Sequence, residues 1–342
     1  MATGTPSGTP SGAAPPARDE PARVEPVRVE PARVEPAPDE PLHGEPVRGE
    51  PVGSGPAELN GERPVEPEQP AQPSRAGRDL RAAIAVGAGM GALALVSLLT
   101  VRHLFLAVIA IAVAVATVEF AGALRRSVGI NVALVPLLVG GQAMVWLSWP
   151  WQRDGVLGAL VVTVLLCFVW RFRGGSDGYL RDVTASVFIA VYVPLFASFA
   201  ALLVDPHDGS ARVLCFLIAV VCSDTGGYVA GVLFGKHPMA PTISPKKSWE
   251  GFAGSMVAGV VGGALSVQLL LHSHWWLGVP FGAALVICAT GGDLVESLIK
   301  RDMRVKDMGN LLPGHGGLMD RMDSLLPSAV AAWLLLTALV PT

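Results

Sequence analysis

Apolar runs of about twenty residues, each closed by a short polar segment, recur from residue 79 to the C-terminus. A helix needs about twenty apolar residues to cross the hydrocarbon of a bilayer. Nine spans are expected, near 82–100, 104–124, 128–148, 155–171, 183–204, 212–235, 250–271, 276–298 and 324–340. The fourth is short, which suits a weakly tilted or partly re-entrant segment. The pattern predicts an all-α fold, a polytopic membrane bundle of about nine transmembrane helices.

Residues 1–78 follow a different rule. Glu-Pro recurs every five residues at Glu20, Glu25, Glu30, Glu35, Glu40, Glu45 and Glu50, with Val and Arg between. Proline at that density blocks helix, and the few apolar side chains do not offset the entropy of ordering. A disordered Pro/Glu-rich tail (1–78) is therefore expected ahead of about five N-terminal spans (79–204) and a C-terminal catalytic region of about four spans (205–342). The tail has no apolar core of the kind a cleavable signal peptide needs.

Charge sharpens this division. Residues 1–78 carry 8 Arg and 13 Asp or Glu, leaving 17 Lys or Arg and 15 Asp or Glu for the remaining 264 residues. The overall charge of −3 thus averages two dissimilar parts. Basic residues favour alternate loops. One set holds Arg125 and Arg126, then Arg171, Arg173 and Arg181, then Lys236, Lys246 and Lys247, then Lys300 to Arg321. Lys and Arg mark the cytoplasmic side, so this set and the tail are expected to face the cytoplasm. Cys167, Cys215, Cys222 and Cys288 lie in apolar runs with no CxxC pair, and read as small buried hydrophobes.

All five lysines, Lys236, Lys246, Lys247, Lys300 and Lys306, fall in two of those loops. Lysine serving topology alone would be spread over the earlier loops as well. Its concentration predicts one polyanion site built from the last four spans. Three polar interruptions converge on it. Asp224 precedes Gly226-Gly227 inside the sixth span, where a carboxylate is a functional candidate or a structural hydrogen-bond partner. Ser248 reads as the N-cap of the seventh span, with Glu250 in its first turn. Capping leaves Lys246 and Lys247 unexplained, and adjacent lysines at a helix start suit phosphate. In the eighth span Asp293, Glu296 and Lys300 share one helical face. A Glu296–Lys300 pair needs no Asp293. After a Pro313-Gly314-His315-Gly316-Gly317 turn, Asp320 and Asp323 stand three residues apart, and oxygen ligands at that spacing suit a hard cation such as Mg²⁺. Glu119 is the main intramembrane charge of the first four spans, and a buried hydrogen bond is its only account at this level. A Walker-type phosphate loop and a Gly-x-Gly-x-x-Gly turn are both absent from the sequence.

The run from Ser297 to Asp323 resembles the phosphatidate cytidylyltransferases, also called CDP-diacylglycerol synthases. It carries Ser-x-x-Lys-Arg, Lys-Asp-x-Gly, Leu-Pro-x-His-Gly-Gly and Asp-Arg-x-Asp in order. The segments at Ser223–Tyr228 and Ser244–Gly251 are similar to family motifs as well. The resemblance implies a membrane enzyme that joins CTP to phosphatidic acid, releasing pyrophosphate and CDP-diacylglycerol. It implies Mg²⁺ on Asp293 and Asp320, with Asp323 in support, and Asp224 placing a second cation or orienting a lysine. Lys246, Lys247, Lys300, Arg301 and Lys306 are expected on the phosphates. Ser248, Asp307, His315, Gly316, Gly317 and Arg321 complete the expected substrate site. A homodimer in a bacterial inner membrane is implied, with no nucleic-acid partner.

Two other readings remain at this stage. A CTP- or ATP-dependent kinase of a lipid or polyprenol alcohol would release a nucleoside diphosphate and need a base, for which His315 is available. A transporter of an anionic solute would also use intramembrane Asp224 and Gly-interrupted helices. It predicts polar residues in both halves of the bundle, whereas here they crowd into the last four spans.

Overall fold

The computed structural model describes residue 4 and residues 76–309, 311 and 316–340. The expected disordered tail lies outside the described residues apart from Gly4 and residues 76–78, which open the first helix. His315 lies outside them too.

Ten helices follow in order: α1 (Ala76–Thr100), α2 (Arg102–Val128), α3 (Leu134–Arg171), α4 (Tyr179–Ala190), α5 (Phe196–Val204), α6 (Gly209–Phe234), α7 (Trp249–Leu270), α8 (Trp275–Asp302), α9 (Met319–Met322) and α10 (Leu325–Leu339). Among the described residues, seven helical segments are long and apolar enough to span a membrane, preceded by a shorter apolar one, Gly87–Thr100. Helix satisfies every backbone polar group within the segment, as hydrocarbon requires.

The third and fourth expected spans are one element that doubles back. Gln152 breaks α3 with φ 47° and ψ −135°, two residues after Pro150. A straight helix of 38 residues would separate its ends by about 57 Å. Instead both ends meet α4. Asp182 Oδ1 accepts from the Asn131 amide at 3.2 Å, and its Oδ2 takes Arg171 at 2.6 Å. Ser186 Oγ accepts the amide of Ala133 at 2.9 Å. The two limbs lie so close that a Cβ on Gly140 would overlap Thr163. At the bend, Gln152 Nε2 donates to Asp205 at 2.9 Å. The nine expected spans therefore map onto α1, α2, the two limbs of α3, α4 with α5, α6, α7, α8 and α10.

Between α4 and α5, residues Val191–Leu195 form a π-helical turn containing Pro194. The wider turn accommodates a residue with no amide hydrogen and keeps the pass continuous. Tyr192 in that turn stacks on Phe188, with ring centroids 5.4 Å apart, and its hydroxyl donates to Gly292 O at 3.4 Å. Arg212, 2% exposed, caps the far end of α10. Its guanidinium donates to Leu336 O at 2.9 Å and Val340 O at 2.6 Å, and pairs with Asp208 at 2.7 Å. Those carbonyls lie at a helix C-terminus, where amide donors run short and a cation is also favoured by the dipole.

Small residues bring α6, α7 and α8 into backbone contact. A Cβ on Gly226 of α6 would strike Ala258 and, at 2.7 Å, the carbonyl of Gly254. On the other face of α7, one on Gly263 would come 2.8 Å from Gly278 O. Close approach through such residues is how helices associate where lipid offers no hydrophobic drive.

The all-α expectation holds for the membrane part, with one addition at a helix end. Residues Pro238–Ala240 (β1) and Ser244–Ser248 (β2) pair antiparallel, Pro238 with Ser248 and Ala240 with Ser244, with an irregularity between.

Candidate active site

The β-hairpin positions the paired lysines. Glu250 anchors its base, accepting the amides of Lys236 and His237 at 3.1 and 3.2 Å and contacting His237 Nδ1 at 2.5 Å. Ser248 Oγ accepts the amide of Gly251 at 3.1 Å and so caps α7 as expected. Arg301 Nε donates to Ile243 O at 3.4 Å, tying the end of α8 to the hairpin turn. Lys247 then reaches α8 and pairs with Asp293.

One turn along α8, Glu296 is fully buried and holds Lys300 at 2.6 Å. The pair foreseen between these residues exists, but Lys300 also contacts Asp320 Oδ1 at 2.8 Å and so bridges α8 to α9. Asp320 is the most heavily bonded carboxylate here. Gly317 N donates to its Oδ2 at 2.7 Å, and Met308 N lies 3.2 and 3.1 Å from its two oxygens. Gly316 makes that wrap possible with φ +82°, a conformation that costs glycine little. A Cβ there would also come 3.1 Å from the carboxylates of both Asp307 and Asp320.

These elements enclose a cavity of about 610 Å³. Asp224 and Tyr228 line it from α6; Lys246, Lys247 and Ser248 from the hairpin; Ser255 from α7; Asp293 and Lys300 from α8; Asp320, Arg321 and Asp323 from the α9 region. The volume suits a nucleotide-sized ligand. Four carboxylates and four cations share its wall. A site of balanced charge this dense beside apolar helices is a functional arrangement rather than a surface loop.

Not every expected residue joins it. Arg301, Lys306, Asp307, Gly316 and Gly317 are absent from the lining. Lys306 and Asp307 are exposed, Arg301 serves the hairpin, and the Gly317 amide serves Asp320. The family resemblance had grouped them with the cavity residues. The chain turns after Asp302, so adjacency in sequence does not carry over into direction.

Three contributors were not foreseen. Glu119 Oε2 accepts the amide of Met319 at 2.9 Å, Arg126 Nη2 donates to Met308 O at 3.4 Å, and Tyr192 touches the backbone beside Asp293. All three come from the N-terminal group of helices, and the one sequence signal was the isolated charge of Glu119.

The donor set fits a hard divalent cation in a particular way. Asp293, Asp320 and Asp323 supply oxygen from two adjoining elements, yet among the described residues no three His, Cys, Asp or Glu side chains form a ready cage. Mg²⁺ commonly takes one or two carboxylates and completes its shell with water and substrate phosphates.

Comparison with known proteins gives the same direction. The cytidylyltransferase family model matches residues 81–339. The chain is 51% identical over 286 residues to the phosphatidate cytidylyltransferase of Mycobacterium tuberculosis (strain ATCC 25618 / H37Rv), covering 80% of this chain and 87% of that one. It is 50% identical over 281 residues to that of Mycobacterium leprae (strain TN), covering 78% and 90%. A phosphatidate cytidylyltransferase of Brucella suis biovar 1 (strain 1330) is 41% identical over 180 residues, covering 52% and 64%.

Proposed function

Because the chain belongs to the cytidylyltransferase family, we propose that it moves the cytidylyl group of CTP onto phosphatidic acid, giving CDP-diacylglycerol and pyrophosphate. The observation that carries this reading is the cavity in which Lys246, Lys247, Lys300 and Arg321 stand among four carboxylates at the end of membrane helices. A phosphate oxygen of the lipid attacks the α-phosphorus of CTP in line, the bond to the β-phosphate oxygen breaks, and pyrophosphate leaves. The lipid phosphate monoester is already largely ionised near neutral pH, so the nucleophile needs no base. Positioning and charge neutralisation supply most of such catalysis.

The lysines and Arg321 hold the triphosphate and the lipid phosphate, and their ammonium and guanidinium groups offset the charge that develops on the leaving pyrophosphate. Lys247 pairs with Asp293, and Lys300 with Glu296 and Asp320. Phosphate groups compete for those cations and release carboxylate oxygens. Asp293 and Asp320, with Asp323 beside them, would hold Mg²⁺, which would add neutralisation of the phosphates. Asp224 would place a second cation or orient a lysine. The basic loops and the bacterial relatives support an inner-membrane protein whose tail and cavity face the cytoplasm. A homodimer belongs to the same proposal, with light scattering of the detergent-solubilised protein as its check.

The test is turnover by purified protein supplied with CTP, phosphatidic acid and Mg²⁺, products being resolved beside an Asp320→Asn control. Pyrophosphate and CDP-diacylglycerol from the unmodified protein alone are expected. CDP formed with a lipid alcohol as acceptor would replace this reading with a kinase.

A further inference from the structure

We propose that Glu119 of α2 is a positioning residue for the reaction, holding the two backbone segments that fix Asp320. The inference rests on the transferase reading above. Glu119 and Arg126 lie seven residues apart, two turns along one face of α2. They grip the two sides of the same loop. Arg126 binds the carbonyl of Met308, and Glu119 binds the amide of Met319, 200 residues away in sequence. Met308 and Gly317 are the residues whose amides donate to Asp320.

The carboxylate of Glu119 also fills a slot between two glycines. A Cβ on Gly317 would stand 2.6 Å from Glu119 Oε2, and one on Gly309 would overlap the same carboxyl group. Gly309 and Gly317 therefore both face this side chain, and a larger residue at either position would have to displace the Glu119 carboxyl group. Its other oxygen, Oε1, is buried and has no hydrogen-bond donor among the described residues. An unsatisfied carboxylate oxygen in an apolar helix is costly to keep. A helix needing only to pack would carry an apolar residue there. Asp320 is thus set from outside the last four helices. Glu119 is absent from the cavity lining; it acts through the segments that carry the Met308 and Gly317 amides.

Two measurements test this on the full-length protein in detergent. Steady-state kinetics with CTP, phosphatidic acid and Mg²⁺ should show Glu119→Ala lowering kcat at least tenfold with KM for CTP within twofold. Glu119→Gln, which keeps an acceptor oxygen, should return to within threefold of the unmodified enzyme. Gly309→Ala should lower kcat in the unmodified protein and cost nothing further once Glu119→Ala has emptied the slot. Amide hydrogen exchange reads the positioning without turnover. Exchange at Met308 and Gly317 should quicken at least tenfold in Glu119→Ala and stay slow in Glu119→Gln, while amides of α7 are unchanged. Equal effects of Gly309→Ala in both backgrounds, or slow exchange retained in Glu119→Ala, would overturn the proposal. So would a kcat loss accompanied by faster exchange throughout α7, which marks a merely structural tie. Absence of cytidylyl transfer by the unmodified protein would remove the transferase reading and leave the exchange result to decide the role of Glu119.

Discussion

Lys247 of the β-hairpin pairs with Asp293 of α8, so a cation carried by a surface loop neutralises a carboxylate inside a membrane helix. Both side chains are partly exposed to the cavity, at 23% and 40%. Coulombic gain at such a site is modest, and the pair contributes little to stability. Its value lies in presenting both groups to an incoming phosphate. Lys247→Met should raise KM for CTP about tenfold, equivalent to about 1.4 kcal/mol, with thermal unfolding in detergent almost unmoved. An unchanged KM would remove Lys247 from the phosphate site.

Asp320 accepts from Lys300 and from two backbone amides at once. Asparagine keeps one acceptor oxygen but places an NH₂ group where a second acceptor stood and removes the charge. Asp320→Asn should lower kcat by about a thousandfold, the scale of losing a principal electrostatic contact in a transition state. Product formation over hours measures it, with size-exclusion behaviour as the folding control. Residual activity above a tenth would exclude a direct role.

Arg212 is buried against the carbonyls of Leu336 and Val340 and against Asp208. Arg212→Ala unpairs Asp208, which is 32% exposed, and removes two hydrogen bonds from the helix end, at a cost of about 2–3 kcal/mol. The unfolding temperature in detergent should fall markedly, while kcat per folded molecule stays within twofold because the residue is remote from the cavity. A full loss of kcat in folded protein would contradict this.

The bend at Gln152 makes a topological prediction. Asp154 is exposed, and the bend bonds to Asp205 in the loop before α6. Arg102 donates to Pro206 O and His207 O in that loop, so the bend joins the side opposite the cavity. A cysteine at 154 should react with a membrane-impermeant thiol reagent added outside intact cells, and one at 306 only after lysis. The reverse pattern would invert the orientation.

Much of the cavity was legible because lipid makes polar residues conspicuous. Asp224 and Asp293 interrupt apolar helices, Asp320, Asp323 and the three inward lysines stand in polar segments at span ends, and the structure gathers all of them at one cavity. Lys306 and Asp307 came from the motif rather than from an interrupted span, and they stand outside the cavity lining. The hairpin was missed for a local reason. Ser244-Pro245-Lys246-Lys247-Ser248 has no alternating apolar face, and its pairing with Pro238–Ala240 is held from outside by Glu250. The doubling back of α3 was legible as two spans, yet its tight bend at a non-glycine residue was not, because Asp182 and Ser186 secure both ends from another helix. Glu119 stood out as a charge, but a partner 200 residues away leaves no trace in local pattern.

The glycine contacts that weld α6, α7 and α8 give the cavity two unlike walls. Backbones in van der Waals contact have no slack, and separating them would open voids that neither lipid nor side chain fills at once. The α9 wall is held differently, by Lys300, by Glu119 and by backbone amides on Asp320, with Met308 and Met319 buried beneath it. One wall is thus fixed by shape and the other by polar contacts that reach it from α2 and α8. Substitutions in the first act through packing, and substitutions in the second act through charge and hydrogen bonding.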